Sequence, residues 1–591
     1  MSTIAERSGV AVDLDAIDLE DPAVYAMLRA GRTAGVFQFE SGLATDLLQR
    51  MHCDRFDDLV ATNALIRPGP LDSGMHLVYV RRKRGEEPVR YLLPELQELL
   101  EPTYGVIVYQ EQVMRIASVL AGYSLAEADV LRKAVGKKKQ ELIDEELGRF
   151  VTRCLERGFK RKVIEEVAGQ IKTFGRYGFN KSHAVAYSII SYQTAWLKAH
   201  HPAEFMAALL SSAIGDTDKV VPYIAECRAL GIEVLPPDVN ESGWHFTVIG
   251  DRRIRFGLGA IKNVGRSAVD AVLAARTADG AFTSLHDLAA RVDHRVCNKR
   301  VLEALIASGA TDALGGHRAQ LFAAVDAVIA EASLAQAETA AGQGTLFSSA
   351  TGSMGETAAL AVAAPALPAV PEWTEAERLA REKELVGFFV SGHPLNRFAE
   401  EAAIFGTHTT ADLGRWTEGK LAVAAVVTAV KRQIARRSGA EWAKLVAEDF
   451  HGTAECLVFP EAWGKLARTV AADGAYLLVG GYSVRDRGEE DAPFIVEDAQ
   501  PLAGLRASGR IGLALRWNRA AGTTGDAGRA VAALCAAHPG PAPLFVEWCE
   551  ATGGEAVRFR SRRFAVMLDD ELLGALRDTL GRDAVTLVKA G

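Results

Sequence analysis

Residues 348–370, SSATGSMGETAALAVAAPALPAV, hold one Glu and no Lys or Arg, and they divide a chain of 591 residues into halves of different texture. Low-complexity sequence rich in Ala, Ser, Gly and Pro has too few anchoring side chains to pack a core, so it reads as a linker. Ahead of it, apolar residues recur at helical spacing, as at Val185, Ile189, Tyr192 and Trp196. Beyond 420 the pattern becomes five short strand-like runs: LAVAAVVTAV, KLVAEDF, TAECLVFP, AYLLVGGYSV and PFIVEDA. Five such runs in close succession suggest a small closed barrel. At about 150 residues per domain the length suggests about four domains. The fold class expected is multidomain α+β.

Finer signals punctuate this frame. Ser124-Leu125-Ala126-Glu127 is a capping box opening a helix that Gly136 closes. One strand, Gly105–Tyr109, interrupts the helical region, and 246–256 reads as a hairpin turning at Gly250-Asp251. Helices resume to about 333, and TEAERLAREKELVGFFV predicts a helix over 374–390. The tail, 505–591, mixes strands (PLFVEW, AVRFRSRRFAVML) with a helix at about 569–580.

Composition excludes several classes. Apolar residues are 49% and charged residues 24%, which is ordinary for globular protein and rules out collagen or bulk disorder. Seven cysteines form no Cys-x-x-Cys pair, so reduced thiols are expected rather than a zinc ribbon or a disulfide framework. No uninterrupted apolar run reaches membrane-spanning length and no signal peptide is read, so a cytoplasmic protein without a membrane partner is expected. The net charge is −8, yet residues 76–182 hold 20 Lys and Arg against 15 Asp and Glu. A basic block on an acidic chain is the pattern of local phosphate binding.

Four motifs carry chemistry. In Tyr177-Gly178-Phe179-Asn180-Lys181-Ser182-His183, Asn180 or Ser182 can cap a helix whose N-terminus attracts phosphate, with Lys181 and His183 as added donors. A capped surface helix reads equally well. Leu131-Arg132-Lys133-Ala134-Val135-Gly136-Lys137-Lys138-Lys139 crowds five cations at a helix C-terminus, for a triphosphate or merely for the helix dipole. Gly259-Ala260-Ile261-Lys262-Asn263-Val264-Gly265-Arg266-Ser267 precedes an amphipathic helix; it reads as a hairpin offering N–H groups to DNA phosphates, or as a packing corner. Gln343-Gly344-Thr345-Leu346-Phe347 can dock in a partner's groove. Gly257-Leu258-Gly259 follows a strand but lacks the third glycine of a dinucleotide loop.

Together these runs resemble the alpha-subunit family of bacterial DNA polymerase III. GVFQFES (35–41), ALIRPGPLDSG (64–74), EPTYGVIVYQEQVM (101–114), LRKAVGKKK (131–139) and YGFNKSHAVAYSIISYQTAWLKAHHPAEFMAA (177–208) carry the likeness. VLPPDVNESGWHF (234–246), GLGAIKNVG (257–265), RVLEALIASGATDALG (300–315) and SGHPL (391–395) extend it, and it weakens after about 505. The resemblance implies a palm-to-fingers connection at 1–40, fingers at 41–235 and a tandem helix-hairpin-helix at 236–333. It further implies a clamp-binding peptide and linker at 334–372, a helical connection at 373–417, an OB-fold barrel at 418–502 and a C-terminal region at 503–591 like that which contacts the clamp-loader's tau subunit. Arg132, Lys137, Lys181 and His183 match positions that grip the incoming deoxynucleoside triphosphate. Lys133 departs, since the family often has Arg there. Lys262, Asn263, Val264, Gly265 and Arg266 match the hairpin on duplex DNA; Gln343, Leu346 and Phe347 match the peptide that binds the sliding clamp (beta).

The family is a DNA-directed DNA polymerase, a nucleotidyltransferase of DNA replication, whose palm holds two magnesium ions on three aspartates. No counterpart of that triad is read here. Asp13, Asp15 and Asp18 lie in an acidic run that aligns beyond it. The expectation is a fingers-to-C-terminus portion that is inactive alone and partners primed DNA, the clamp, tau and a palm-containing piece. A non-catalytic DNA- and clamp-binding accessory protein, and an error-prone paralogue, stay open as alternatives.

Overall fold

The computed structural model describes residues 1–591 except 10, 68–69, 72, 137–139, 176–177, 341–365, 415, 436–437, 487–491, 519–524, 550–556 and 591. Two compact units divide the chain. One comprises 1–372 with 384–388, the other 373–383 with 389–591.

The first unit is mostly helical, as expected. The helices that matter below are α1 (Pro22–Arg29), α2 (Phe56–Leu65), α3 (Gln110–Ala121), α4 (Leu125–Gly136), α5 (Gln140–Glu156), α6 (Arg161–Gly175) and α7 (Lys181–His200). The Ser124–Glu127 capping box forms: Glu127 accepts from the Ser124 N–H at 2.8 Å, and the Ser124 hydroxyl accepts from the Glu127 N–H at 3.3 Å. Two separate cores fill this region. Leu99, Ile116, Leu120, Leu131, Phe150 and Ile171 belong to one; Leu28, Phe39, Leu48, Leu59 and Tyr192 belong to the other.

The strand expected at 105–109 is not a ladder strand. Residues 106–108 are extended and buried, and only Tyr109 makes an isolated parallel bridge, to Phe179. Side chains replace the missing neighbour. Gln112 Oε1 accepts from the Val108 and Tyr109 N–H groups at 2.8 and 3.0 Å, and the Thr103 hydroxyl donates to the Val106 carbonyl at 2.6 Å. The two-residue alternation of an extended chain then sends Val106 and Val108 into one core and Ile107 into the other.

The apolar stripe read along α7 is only partly right. Tyr192 is buried, but Ile189 is 38% exposed. The buried face instead includes Ser188, Ser191 and Lys198. Each of these has a partner that an apolar pattern cannot reveal: Ser188 accepts from Asn63 of α2 at 2.8 Å, Ser191 donates to the Tyr187 carbonyl at 2.9 Å, and Lys198 donates to the Arg32 and Ala34 carbonyls and to Glu226.

Beyond α7 the strands β1 (Glu233–Leu235), β2 (Thr247–Val248) and β3 (Arg253–Arg255) form a small sheet in the order β1-β3-β2. The expected hairpin is its β2–β3 half, turning at Gly250 with φ 70°. Helices α8 (Arg266–Asp279), α9 (Lys299–Ala307) and α10 (Arg318–Ala340) follow. α10 outruns its expected end at 333, because the Ala-rich run after it, LAQAETA, is itself a strong helix former.

α11 (Glu375–Val386) starts in the second unit, on a Thr374–Glu377 capping box, and its last residues are counted with the first; it stops short of the expected residue 390, since Gly387 turns left-handed at φ 95°. Strands β4 (Leu421–Ile434), β5 (Glu441–Glu448), β6 (Thr453–Val458), β7 (Gly474–Gly481) and β8 (Phe494–Pro501) close into a barrel in the order β4-β5-β6-β8-β7. A helix, Pro460–Leu466, joins the third and fourth strands and buries Trp463, while β6 pairs parallel with β8. This is the connectivity of an OB fold. The tail holds more than was read from sequence: β9 (Ile511–Asn518), α12 (Gly525–Ala537), β10 (Pro539–Cys549), β11 (Val557–Val566), α13 (Asp570–Leu580) and β12 (Val585–Lys589). β9 and β10 run parallel with α12 between them in sequence, and the sheet order is β11-β10-β9-β12.

Cys53, Cys154, Cys227, Cys297, Cys456 and Cys535 are free and buried. Among the described residues no helix is long and apolar enough to cross a membrane.

Gln112 also donates to the Leu99 carbonyl and the Thr103 hydroxyl, at 3.3 and 2.8 Å, so its amide satisfies buried groups on both sides. Gln112→Ala leaves several of them unpaired and should destabilise the first unit by about 3 kcal/mol in denaturant melts. A loss below about 1 kcal/mol would show that the extended segment does not depend on it.

Candidate nucleotide and nucleic-acid interface

Arg132 lies just before the last turn of α4, and Lys181 opens α7. The first turn of α3 lies between them. Gln110 Oε1 accepts from Arg132 Nη1 at 3.1 Å, while Gln110 Nε2 donates to the Gly178 carbonyl at 2.9 Å. The Gln110 N–H donates to the Phe179 carbonyl at 2.9 Å. Three segments far apart in sequence are thereby joined, and Arg132, Lys181 and His183 gather around one corner. Lys137 lies outside the described residues.

The cations are not bare. Asp129 is 2.7 Å from both Arg132 and Lys133, and the Lys133 ammonium first, then the Arg132 guanidinium, hold its carboxyl below the usual carboxylate range. The Lys181 ammonium lies 5.4 Å from the centre of the Tyr109 ring. The His183 ring is set between Phe179, at 5.3 Å, and Tyr187, at 4.2 Å, and Arg67 stacks on the other side chain of this corner, Phe179, at 3.9 Å.

The α7 N-terminus is capped, as expected, by one of the two candidate residues. Asn180 caps it, accepting from the His183 N–H at 2.8 Å. Glu111 accepts from the Lys181 N–H at 3.0 Å and from the Asn180 amide at 2.9 Å. Two first-turn donors are therefore already engaged, so the groups that project from this end are side chains: Lys181, Ser182 and His183 are all exposed. Sequence reasoning singled out neither Gln110 nor Glu111. Their only signal was a Gln-Glu pair at the start of a helix, directly after a buried extended run.

The second region is the turn 257–266. Gly257 and Gly259 are required by Trp244. A Cβ on Gly259 would lie 2.5 Å from the Trp244 ring, and one on Gly257 would lie 2.5 Å from the Trp244 carbonyl. This packing, not phosphate binding, explains the glycine pair. Asn263 makes the turn at φ 71°. Lys262, Asn263, Gly265 and Arg266 are exposed, whereas Val264 is buried and its N–H donates to the Ile261 carbonyl. Arg266 is 3.0 Å from Asp270 and stacks on Trp244. Gly265 caps α8 without a side-chain bond, and a Cβ there would meet open space. Gln343, Leu346 and Phe347 lie outside the described residues.

With this geometry in view, a model of the bacterial DNA polymerase III alpha subunit finger domain matches residues 1–158, and a helix-hairpin-helix model matches 231–321. The DNA polymerase III subunit alpha of Pasteurella multocida is 35% identical over 589 residues, which is 99% of this chain and 50% of the relative. The chain belongs to the bacterial DNA polymerase III alpha family. The proteins of the same name from Mycobacterium tuberculosis and Neisseria meningitidis are 41% and 40% identical, each match covering over four-fifths of this chain and 41% of the relative. The chain thus spans about half or less of the length of the curated relatives it matches. Within this polymerase III alpha portion, Arg132 falls in the finger match, Lys181 and His183 lie beyond it, and the turn at 257–266 falls in the helix-hairpin-helix match.

The family uses a divalent metal, and Asp13, Asp15 and Asp18 do not fit one. All three are exposed on irregular chain. Asp13 accepts from the Asp15 N–H at 3.0 Å and Asp18 from the Glu20 N–H at 2.9 Å, each carboxylate turned to its own backbone. Among the described residues no three His, Cys, Asp or Glu side chains converge as a metal cluster.

Proposed function

We propose that this chain supplies the nucleotide-gripping and DNA-holding parts of template-directed DNA synthesis. The observation that carries the reading is that Arg132 and the start of α7, which bears Lys181 and His183, are both tied to the first turn of α3, through Gln110 and Glu111. Arg132 provides a planar fork for phosphate oxygens and Lys181 a mobile point charge. His183, held between two rings, adds a directed N–H. Because the Lys181 and His183 N–H groups are engaged, the grip runs chiefly through side chains. Lys137 belongs to the same basic run and is included in the proposal.

The turn at 262–266 holds duplex DNA by its backbone. Lys262 and Arg266 supply charge, and Gly265 supplies close approach: packing within the protein leaves a side chain free to stand there. Affinity for primed duplex should ignore sequence and fall on the order of a hundredfold between about 50 and 200 mM salt, as about four neutralised phosphates require. Gly265→Asn, which keeps a favourable N-cap for α8, should weaken it without lowering the melting temperature, whereas Gly259→Ala should lower that temperature. Salt-independent binding would contradict the assignment.

Gln343, Leu346 and Phe347 are proposed to dock on the sliding clamp, with Leu346 and Phe347 filling an apolar pocket. Losing such an anchor costs about 2 kcal/mol or more, roughly thirtyfold. Clamp capture should therefore drop in Leu346→Ala and Phe347→Ala; undiminished capture would sink this part. The region 503–591 is proposed to contact tau, and the barrel to face single-stranded template.

Nucleotidyl transfer needs the 3′-hydroxyl activated and phosphoryl charge neutralised by metal-bound oxygen ligands. Arg132, Lys181 and His183 donate hydrogen bonds and cannot replace those ligands. The 591 residues tested alone should give no primer extension, and a separately made palm-containing piece should restore it. Magnesium-dependent extension by these residues alone, abolished by Asp13→Ala or Asp15→Ala, would overturn this.

A further inference from the structure

We infer that Gln110 is a positioning residue for the triphosphate, acting through Arg132 and independently of Lys181; the inference rests on the nucleotide reading above. A guanidinium at the end of α4 has several rotatable bonds and a competing partner in Asp129. Left to Asp129 alone, it would be fixed at one edge only. Gln110 accepts from a second edge, at Nη1, and is itself fixed, because its Nε2 donates to the Gly178 carbonyl and its N–H to the Phe179 carbonyl. Arg132 is thus referenced to the loop that leads into Lys181 and His183.

Glutamine is suited to this task. One amide both accepts from the arginine and donates to a carbonyl, and it adds no negative charge beside an incoming polyanion. A Glu here would lose the donor and repel phosphate; an Asn would be one methylene short. The adjacent Glu111 does the different job of fixing the start of α7 through the Lys181 N–H and Asn180. The two neighbours divide the work, so loss of Gln110 frees Arg132 while leaving Lys181 in place.

The test is a pair of double-mutant cycles on the 591-residue chain, reading affinity for deoxyadenosine triphosphate. Arg132→Ala and Lys181→Ala should each weaken binding about tenfold or more, as loss of a charged hydrogen-bond donor does. Gln110→Met, which keeps side-chain volume, should weaken it about fivefold or more, and Gln110→Ala should do the same, with melting temperatures near that of the parent. Combined with Arg132→Ala, Gln110→Met should add less than about twofold, because the arginine it positions is gone. Combined with Lys181→Ala, its loss should multiply in full. A merely structural Gln110 would not separate the two partners in this way. If Arg132→Ala weakens binding but both Gln110 variants bind within twofold of the parent, or if the Gln110 and Arg132 losses multiply, the inference is wrong while the nucleotide reading stands. If neither Arg132→Ala nor Lys181→Ala matters, the nucleotide reading falls and takes the inference with it.

Discussion

Four extended residues, Val106 to Tyr109, form the wall between two cores, and the site depends on how their backbone is satisfied. A buried extended chain without a ladder neighbour carries unpaired N–H and C=O groups that cost free energy. Gln112 and Thr103 pair them from the side. That arrangement fixes the register of α3, which starts at the next residue, and so fixes where Gln110 and Glu111 emerge. Tyr109 bridges to Phe179, which draws the start of α7 to the same place. The convergence of α3, α4 and α7 is therefore a consequence of core packing, and the cations sit on a frame that does not need them.

Much of this was legible and some was not, for identifiable reasons. The capping box at Ser124 and the five barrel strands were readable because each signal lies within a few residues. The 105–109 segment was misread because its apolar run is that of a buried strand, while the groups that complete it are side chains. α7 was misread because its closest contacts use Ser188 and Lys198, polar residues satisfied by distant carbonyls and an amide. β9, α12 and β12 went unread in a tail where β9 pairs parallel with β10 and antiparallel with β12; such strands are defined by partners far along the chain. At the site, Arg132, Lys181 and His183 were visible as charges. Gln110 and Glu111 were not, since an uncharged amide and a carboxylate in a helix's first turn look like ordinary capping.

Glycine is the residue whose meaning changed most once space could be measured. Gly257, Gly259 and Gly265 stand close together, and in sequence they look like one flexible, phosphate-friendly turn. The first two are forced by the Trp244 ring and backbone, so they belong to the packing of the turn. Only Gly265 is left without a reason inside the protein. The same turn also separates Val264, which packs inward, from Lys262 and Arg266, which do not. Fold maintenance and the proposed DNA contact therefore rest on alternate residues of one short segment, and substitutions can address them separately.

The charge arrangement around Arg132 follows from a general difficulty. Cations gathered to meet a polyanion repel one another before it arrives, and each long side chain loses conformational freedom when held in place. Asp129 and Glu111 reduce the first cost by placing one carboxylate beside Arg132 and Lys133 and another at the α7 N-terminus. Gln110 reduces the second without adding charge. The Arg132–Asp129 pair is half-exposed and screened by water, so it steadies the guanidinium without trapping it. A triphosphate carries several charges and can draw that guanidinium away at small cost. Had the pair been buried, the same carboxylate would have held the arginine against the nucleotide, and the corner would be a structural ion pair instead of a grip.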